Sequence, residues 1–294
     1  MNKIKKFKLP ANPTPSFENA HGKIPYGMTN DYMFRAVLQS NNKVLRGLIC
    51  SLLHLEESDV QSVRITNTEI LGDALEDKEM RLDVNVTLND NTFINLEMQV
   101  VNELNWPDRS ITYLSRSVDQ LSHGQEYSEL KPVIHIGFLD YTLFKEYPEF
   151  YATYKLINVN NYHVYSDKMT LSVVDLTRID LATEEDKAYH IDEWAALFKA
   201  KTWEELRTMA AKSNYFKEAS ETMYRMSADE RIRKICRDRI EHQQDIRNYQ
   251  RNNAEKDRII AEQKKALDEK DEVLTEKDLA IKHLTAELER LKNQ

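Results

Sequence analysis

Asp83 and Glu97 are two carboxylates whose spacing can be turned into geometry, and paired carboxylates are the oxygen ligands that Mg²⁺ and Mn²⁺ favour. Both lie in RLDVNVTLNDNTFINLEMQV, residues 81–100. In its first half Leu82, Val84, Val86 and Leu88 alternate with Asp83, Asn85 and Thr87. In its second half Ile94, Leu96, Met98 and Val100 alternate with Asn95, Glu97 and Gln99. Such alternation reads as two strands, each with one apolar face. Asn89-Asp90-Asn91 between them is turn chemistry, and a three-residue hairpin loop centred on Asp90 sets Asp83 opposite Glu97 and Arg81 opposite Gln99. A two-residue turn would put Asp83 against the apolar face of its partner strand, so the hydrophobic pattern selects the register.

Directly opposed side chains on a sheet have Cβ atoms about 4.5–5.5 Å apart, and like charges at that distance destabilise unless something compensates them. A divalent cation would do so, and it would also activate water for hydrolysis. The plain alternative is a solvated polar face carrying ordinary surface acids.

Glu97-Met98-Gln99 after an Asp on the preceding strand resembles the motif of the PD-(D/E)XK nuclease superfamily. There, Asp and Glu hold the metal and a Lys two residues after the Glu helps to activate water. Here Gln99 stands at the Lys position. The wider pattern resembles the Rpn family of recombination-promoting nucleases, also described as PD-(D/E)XK nuclease family transposases. Thr29 to Phe34, Arg81 to Val84, Asn95 to Gln99, Trp106 with Arg109 and Tyr113, and Gly124 to Ile134 carry that resemblance, across residues 28–180. It implies a metal-dependent DNA endonuclease that uses Mg²⁺ or Mn²⁺ and is linked to recombination, mobile elements or phage defence. Asp83 and Glu97 would be its metal ligands, and Gln99 would orient the water. A neutral amide supplies hydrogen bonds without the point charge of an ammonium, which keeps a second reading open: a degenerate nuclease fold that binds DNA or protein as an oligomeric module. Arg81 either furnishes the missing charge or pairs with neighbouring acids. Arg109 and Tyr113, four apart, share a helix face; the resemblance sets Arg109 near the metal-bound phosphate, and the alternative is an exposed pair. Asp31 either approaches the metal from the first helix or caps that helix.

These residues need elements to hold them. The glycines all lie at or before Gly137 and the prolines at or before Pro148, so the C-terminal half should be largely helical after a short strand pair. Residues 31–55 have helical spacing, with Phe34, Leu38, Leu45, Ile49 and Leu52 as the apolar stripe. A strand is expected over 63–71, then the hairpin. A helix opens at Pro107 with Ile111, Leu114, Val118 and Leu121 buried and Gly124 as its stop. Residues 133–139 suit a central strand, and 152–159 and 169–176 two further strands. Helices are expected over 184–190, 191–199, 203–213 and 216–251, with Trp194, Leu197, Phe198, Trp203, Leu206 and Met209 as packing residues. His123 and His135, without partner spacing, read as structural. The expected fold class is α/β: a PD-(D/E)XK restriction-endonuclease-like core, a mixed sheet flanked by helices, then a helical region and a coiled coil. Its boundaries fall at 1–27 for an extended arm, 28–180 for the core, 181–252 for the helical region and 253–294 for the coiled coil.

Ile260, Leu267, Leu274, Ile281 and Leu288 recur every seven residues, while the partner position reads Gln263, Lys270, Lys277, Leu284 and Leu291. The expected partner is a second copy, giving a homodimer or higher homo-oligomer; a solvated single helix is the alternative. The net charge of −8 counts against a broadly basic nucleic-acid binder. Arg231, Arg233, Lys234 and Arg237, with Arg239, are the densest cationic cluster and the candidate phosphate contacts, the alternative being a solvated helix face. Two distant cysteines argue against a disulfide framework or a zinc site. Without a signal-like apolar core or a membrane span, the expectation is a cytoplasmic protein.

Overall fold

A computed structural model of the chain describes residues 16–66, 84–118, 121 and 124–292. Two helices open the core, α1 (Asp31–Ser40) and α2 (Asn42–Leu52). The expected single helix over 31–55 is broken because Asn41 is extended and its side chain accepts from the Lys43 and Val44 N–H groups, capping α2. The apolar stripe survives the break: Phe34, Leu38, Leu45, Ile49 and Leu52 are all buried.

Among the described residues the strands are β1 (Val63–Ile65), β2 (Val84–Leu88), β3 (Thr92–Gln99), β4 (Val133–Leu139), β5 (Tyr151–Ile157) and β6 (Val164–Asp175). They form one mixed sheet in the order β1-β2-β3-β4-β6-β5. The hairpin register is the expected one, with Val84 opposite Leu96 and Val86 opposite Ile94. Asn89 and Asp90 take positive φ in the turn. Asn89 fastens it by accepting from the Gln61 and Ser62 N–H groups and donating to the Asp59 carbonyl. Arg81 and Asp83 lie outside the described residues.

A parallel connection needs a crossover, and α3 (Trp106–Val118) provides it between β3 and β4. One sheet face, with Leu96, Met98, Ile136, Phe138 and Val174, packs into the main core with Phe34, Trp194 and Phe198. On the other face α3 contacts β4 and β6, and Trp106 clusters with Leu139 and Val173. Covered on both faces, β3 buries every residue from Ile94 to Gln99, including its polar ones. The buried stripe of α3 differs from expectation: Trp106, Ser110 and Leu114 are buried while Ile111 is 55 % exposed, because the helix is anchored at its Trp106 end.

After the sheet come α4 (Glu184–Ala188), α5 (Ile191–Lys199), α6 (Trp203–Ala210), α7 (Asn214–Ala228) and α8 (Glu230–Lys292). The six expected packing residues on α5 and α6 are buried. The stretch 216–251 is divided at Asp229, which is extended and accepts from the Arg231 and Ile232 N–H groups at the start of α8. The chain resolves into two compact units that meet at Gln243 and Gln244. In the second, a stretch of α8, Ile260, Leu267, Leu274, Ile281 and Leu288 are each between 57 % and 61 % exposed. No helix among the described residues is long and apolar enough to cross a membrane.

Candidate active site

The odd-numbered side chains of β3, Asn95, Glu97 and Gln99, share the face covered by α3 and are 5–7 % exposed. Register fixes their neighbours on β4, where His135 pairs with Asn95, Gly137 with Glu97 and Leu139 with Gln99. Gly137 is needed here because a Cβ would stand 2.0 Å from the Trp106 ring, which fills the space over the sheet beside Glu97. Trp106 in turn fixes the start of α3, and Arg109 follows on its next turn.

Arg109 closes on Glu97. Its Nε and Nη2 both reach Oε1, at 2.8 and 2.7 Å. Burial disfavours the charge on Arg109, but the Glu97 carboxylate, together with Tyr113 and Glu103, raises the guanidinium pKa. The guanidinium also lies 5.3 Å from the centre of the Tyr113 ring, so the two α3 residues form a unit over the carboxylate rather than an exposed pair. His135 is fully buried with Nε2 3.7 Å from Glu97 Oε2, too long for a hydrogen bond. Burial, reinforced by the Arg109 charge, pushes its pKa down to about 4, so at neutral pH it is an uncharged imidazole and the contact is no ion pair. Gln99 accepts a hydrogen bond at 3.1 Å from the Tyr141 hydroxyl, in the loop after β4. Asn95 donates to Asn85 across the hairpin at 2.5 Å.

Of the residues expected from sequence, Glu97, Gln99, Arg109 and Tyr113 gather in this site, while Asp83 and Arg81 lie outside the described residues. Asp31 is not the cap: Asn30 caps α1, accepting from the Met33 N–H, and both Asp31 oxygens are held by Arg239 of α8. That removes Arg239 from the free cations of the cluster. Arg231, Arg233, Lys234 and Arg237 are exposed, with Arg231 paired to Asp229 at 3.4 Å. Sequence reasoning missed Tyr141, which no spacing rule ties to Gln99. It also set His135 aside, although His135 shares the parity that brings Gly137 beside Glu97.

The model for PD-(D/E)XK nuclease family transposases matches residues 28–253. The chain belongs to that family. The match begins at Met28, where the fold was expected to begin, and runs past β6 through the helical region. No curated protein and no solved structure matches the chain. Family membership agrees with the mixed sheet, its flanking helices and the acid-bearing β3.

A divalent cation is implied by the family, and the donor chemistry on β3 can be tested against it. The buried Glu97 carboxylate is a hard oxygen donor of the type Mg²⁺ and Mn²⁺ prefer, and Gln99 Nε2 is buried with no hydrogen-bond partner among the described residues. The described residues contain no group of three or more His, Cys, Asp or Glu that could hold a metal ion.

Proposed function

We propose that this chain is a metal-dependent endodeoxyribonuclease that hydrolyses DNA phosphodiester bonds, in the service of recombination, mobile elements or phage defence. The supporting observation is the hairpin register, Val84 opposite Leu96, which one further pair would extend to Asp83 opposite Glu97. Asp83 and Glu97 would hold Mg²⁺ or Mn²⁺. Bound there, the cation supplies Lewis-acid activation of the scissile phosphate and of a water molecule. Gln99 orients that water by hydrogen bonding. Arg109, 38 % exposed at its side chain, sits where it neutralises Glu97 in the metal-free protein and can turn to a phosphate oxygen when the cation takes the carboxylate. Trp106 and the neutral His135 exclude bulk water from the inner side of Glu97. The exposed cations of α8 are proposed phosphate contacts, and the heptad stretch a self-association element.

The Arg109–Glu97 ion pair also favours a second reading, a degenerate site that binds DNA or protein without cutting. One experiment separates the two. Supercoiled and linear DNA are incubated with purified protein in Mg²⁺, Mn²⁺ or EDTA, beside folded Asp83→Asn and Glu97→Gln proteins. The expected result is metal-dependent cutting that falls by about 100-fold or more in each variant. Absence of cutting, or cutting that survives both substitutions, rejects the nuclease and leaves the binding module.

A further inference from the structure

Gln99 has an ambiguity that a lysine would lack. An ammonium offers donors only, whereas an amide offers an oxygen that accepts and a nitrogen that donates, and rotation by a half turn exchanges them. Presented oxygen-first to a phosphate, whose oxygens only accept, the amide would repel the lone pairs it must hold. Something has to choose the face.

Tyr141 makes that choice available. Its hydroxyl donates to Gln99 Oε1 at 3.1 Å, while Gln99 Nε2 is buried and has no hydrogen-bond partner among the described residues. Gln99 is only 7 % exposed, so bulk water does not compete freely for the amide. The Tyr141 ring packs against the cluster of Trp106, Leu139 and Val173, which ties the hydroxyl to the same α3, β4 and β6 packing that holds Arg109 over Glu97. Burial first, and the Glu97 charge second, hold the phenol well above its ordinary pKa, so at neutral pH it keeps the proton it donates.

We propose that Tyr141 is a positioning residue of this site: by occupying Gln99 Oε1 it turns the amide NH₂ toward the scissile phosphate, giving Gln99 the donor half of a lysine's role. This rests on the nuclease reading above. The residue acts through Gln99, so its effect must vanish when position 99 has no acceptor to hold.

The test is a double-mutant cycle of Tyr141→Phe with Gln99→Lys in the full-length protein, beside a metal-free cycle of Tyr141→Phe with Gln99→Leu. In cleavage, Tyr141→Phe should lower kcat about tenfold with KM for DNA changed less than about twofold, and it should add little to Gln99→Lys. In metal-free urea denaturation, Tyr141→Phe and Gln99→Leu should each lower the midpoint, and the double variant should fall no further than the larger single loss. Additive effects in the metal-free cycle show that the hydrogen bond does not hold and overturn the proposal. Coupling in denaturation with kcat unchanged, or an equal kcat loss in the Gln99→Lys protein, makes Tyr141 a packing residue and also overturns it. If wild-type protein does not cut DNA, the nuclease reading fails and this proposal falls with it; cutting with either negative result rejects the positioning role alone.

Discussion

Glu97 is 5 % exposed, and a carboxylate taken that far out of water costs several kcal/mol unless it is paired. Arg109 supplies the pairing, which makes the ion pair a structural requirement of the metal-free protein. Arg109→Ala should therefore destabilise by about 1–3 kcal/mol in urea denaturation, part of which returns in Arg109→Ala/Glu97→Gln, where no charge is stranded. His135 adds a pH dependence whose sign follows from its environment. Its pKa is lowered from 6.5 in the unfolded chain to about 4 in the fold, so the folded protein binds the proton less well. The stability it contributes is fully present above about pH 6.5, is lost as pH falls, and is gone below about 4, amounting to at most about 3 kcal/mol. Stability measured from pH 7.5 to 4 should fall less steeply in His135→Leu than in wild type, whatever the variant's absolute stability. Equal slopes would show that His135 does not titrate in this way.

At the scale of elements, α3 is the part that turns a strand with an acid on it into a site. It is seated by Trp106 against a glycine, and Gly137→Ala would drive a methyl group into that ring. Overpacking of this kind costs about 1–3 kcal/mol, and here it should also displace Arg109, so a lower melting temperature should come with loss of any metal-dependent cleavage. The start of α8 is held differently. Arg239 grips both oxygens of Asp31, which is 6 % exposed, and so ties α8 to α1. Arg239→Ala should cost about 2 kcal/mol in denaturation, discounted because the arginine is partly exposed, whereas Arg237→Ala should cost well under 1. If the α8 cations contact phosphates, Arg237→Ala would instead weaken DNA binding and flatten its salt dependence.

For the whole molecule, the question is what covers the heptad stretch. Its spine residues are more than half exposed over five successive heptads, from Ile260 to Leu288, and an isolated helix with so polar a sequence gains little from packing. A second copy is the simplest cover, as the proposed self-association states. Leu274→Lys with Ile281→Lys should shift sedimentation toward monomer and leave the denaturation of the first unit unchanged. Monomeric wild-type protein at tens of micromolar would reject it.

Sequence alone determined what depends on periodicity. The hairpin register followed from alternation and a three-residue turn because a shift by one residue would have turned every apolar side chain of β3 out of the core. The β4 strand and the α5 and α6 packing residues were legible for the same reason: burial leaves a pattern. Breaks were harder to read. Asn41 and Asp229 interrupt expected helices by capping the next one, which is a hydrogen bond and not a hydropathy signal. Only the tertiary structure decided that the polar face of β3 is buried and that Asp31 belongs to Arg239. It alone decided that Ile111 faces out, and that Tyr141 and His135 stand at Gln99 and Glu97. Those contacts join residues on different elements, and their identity is set by which strands and helices pack together, information that no local spacing carries.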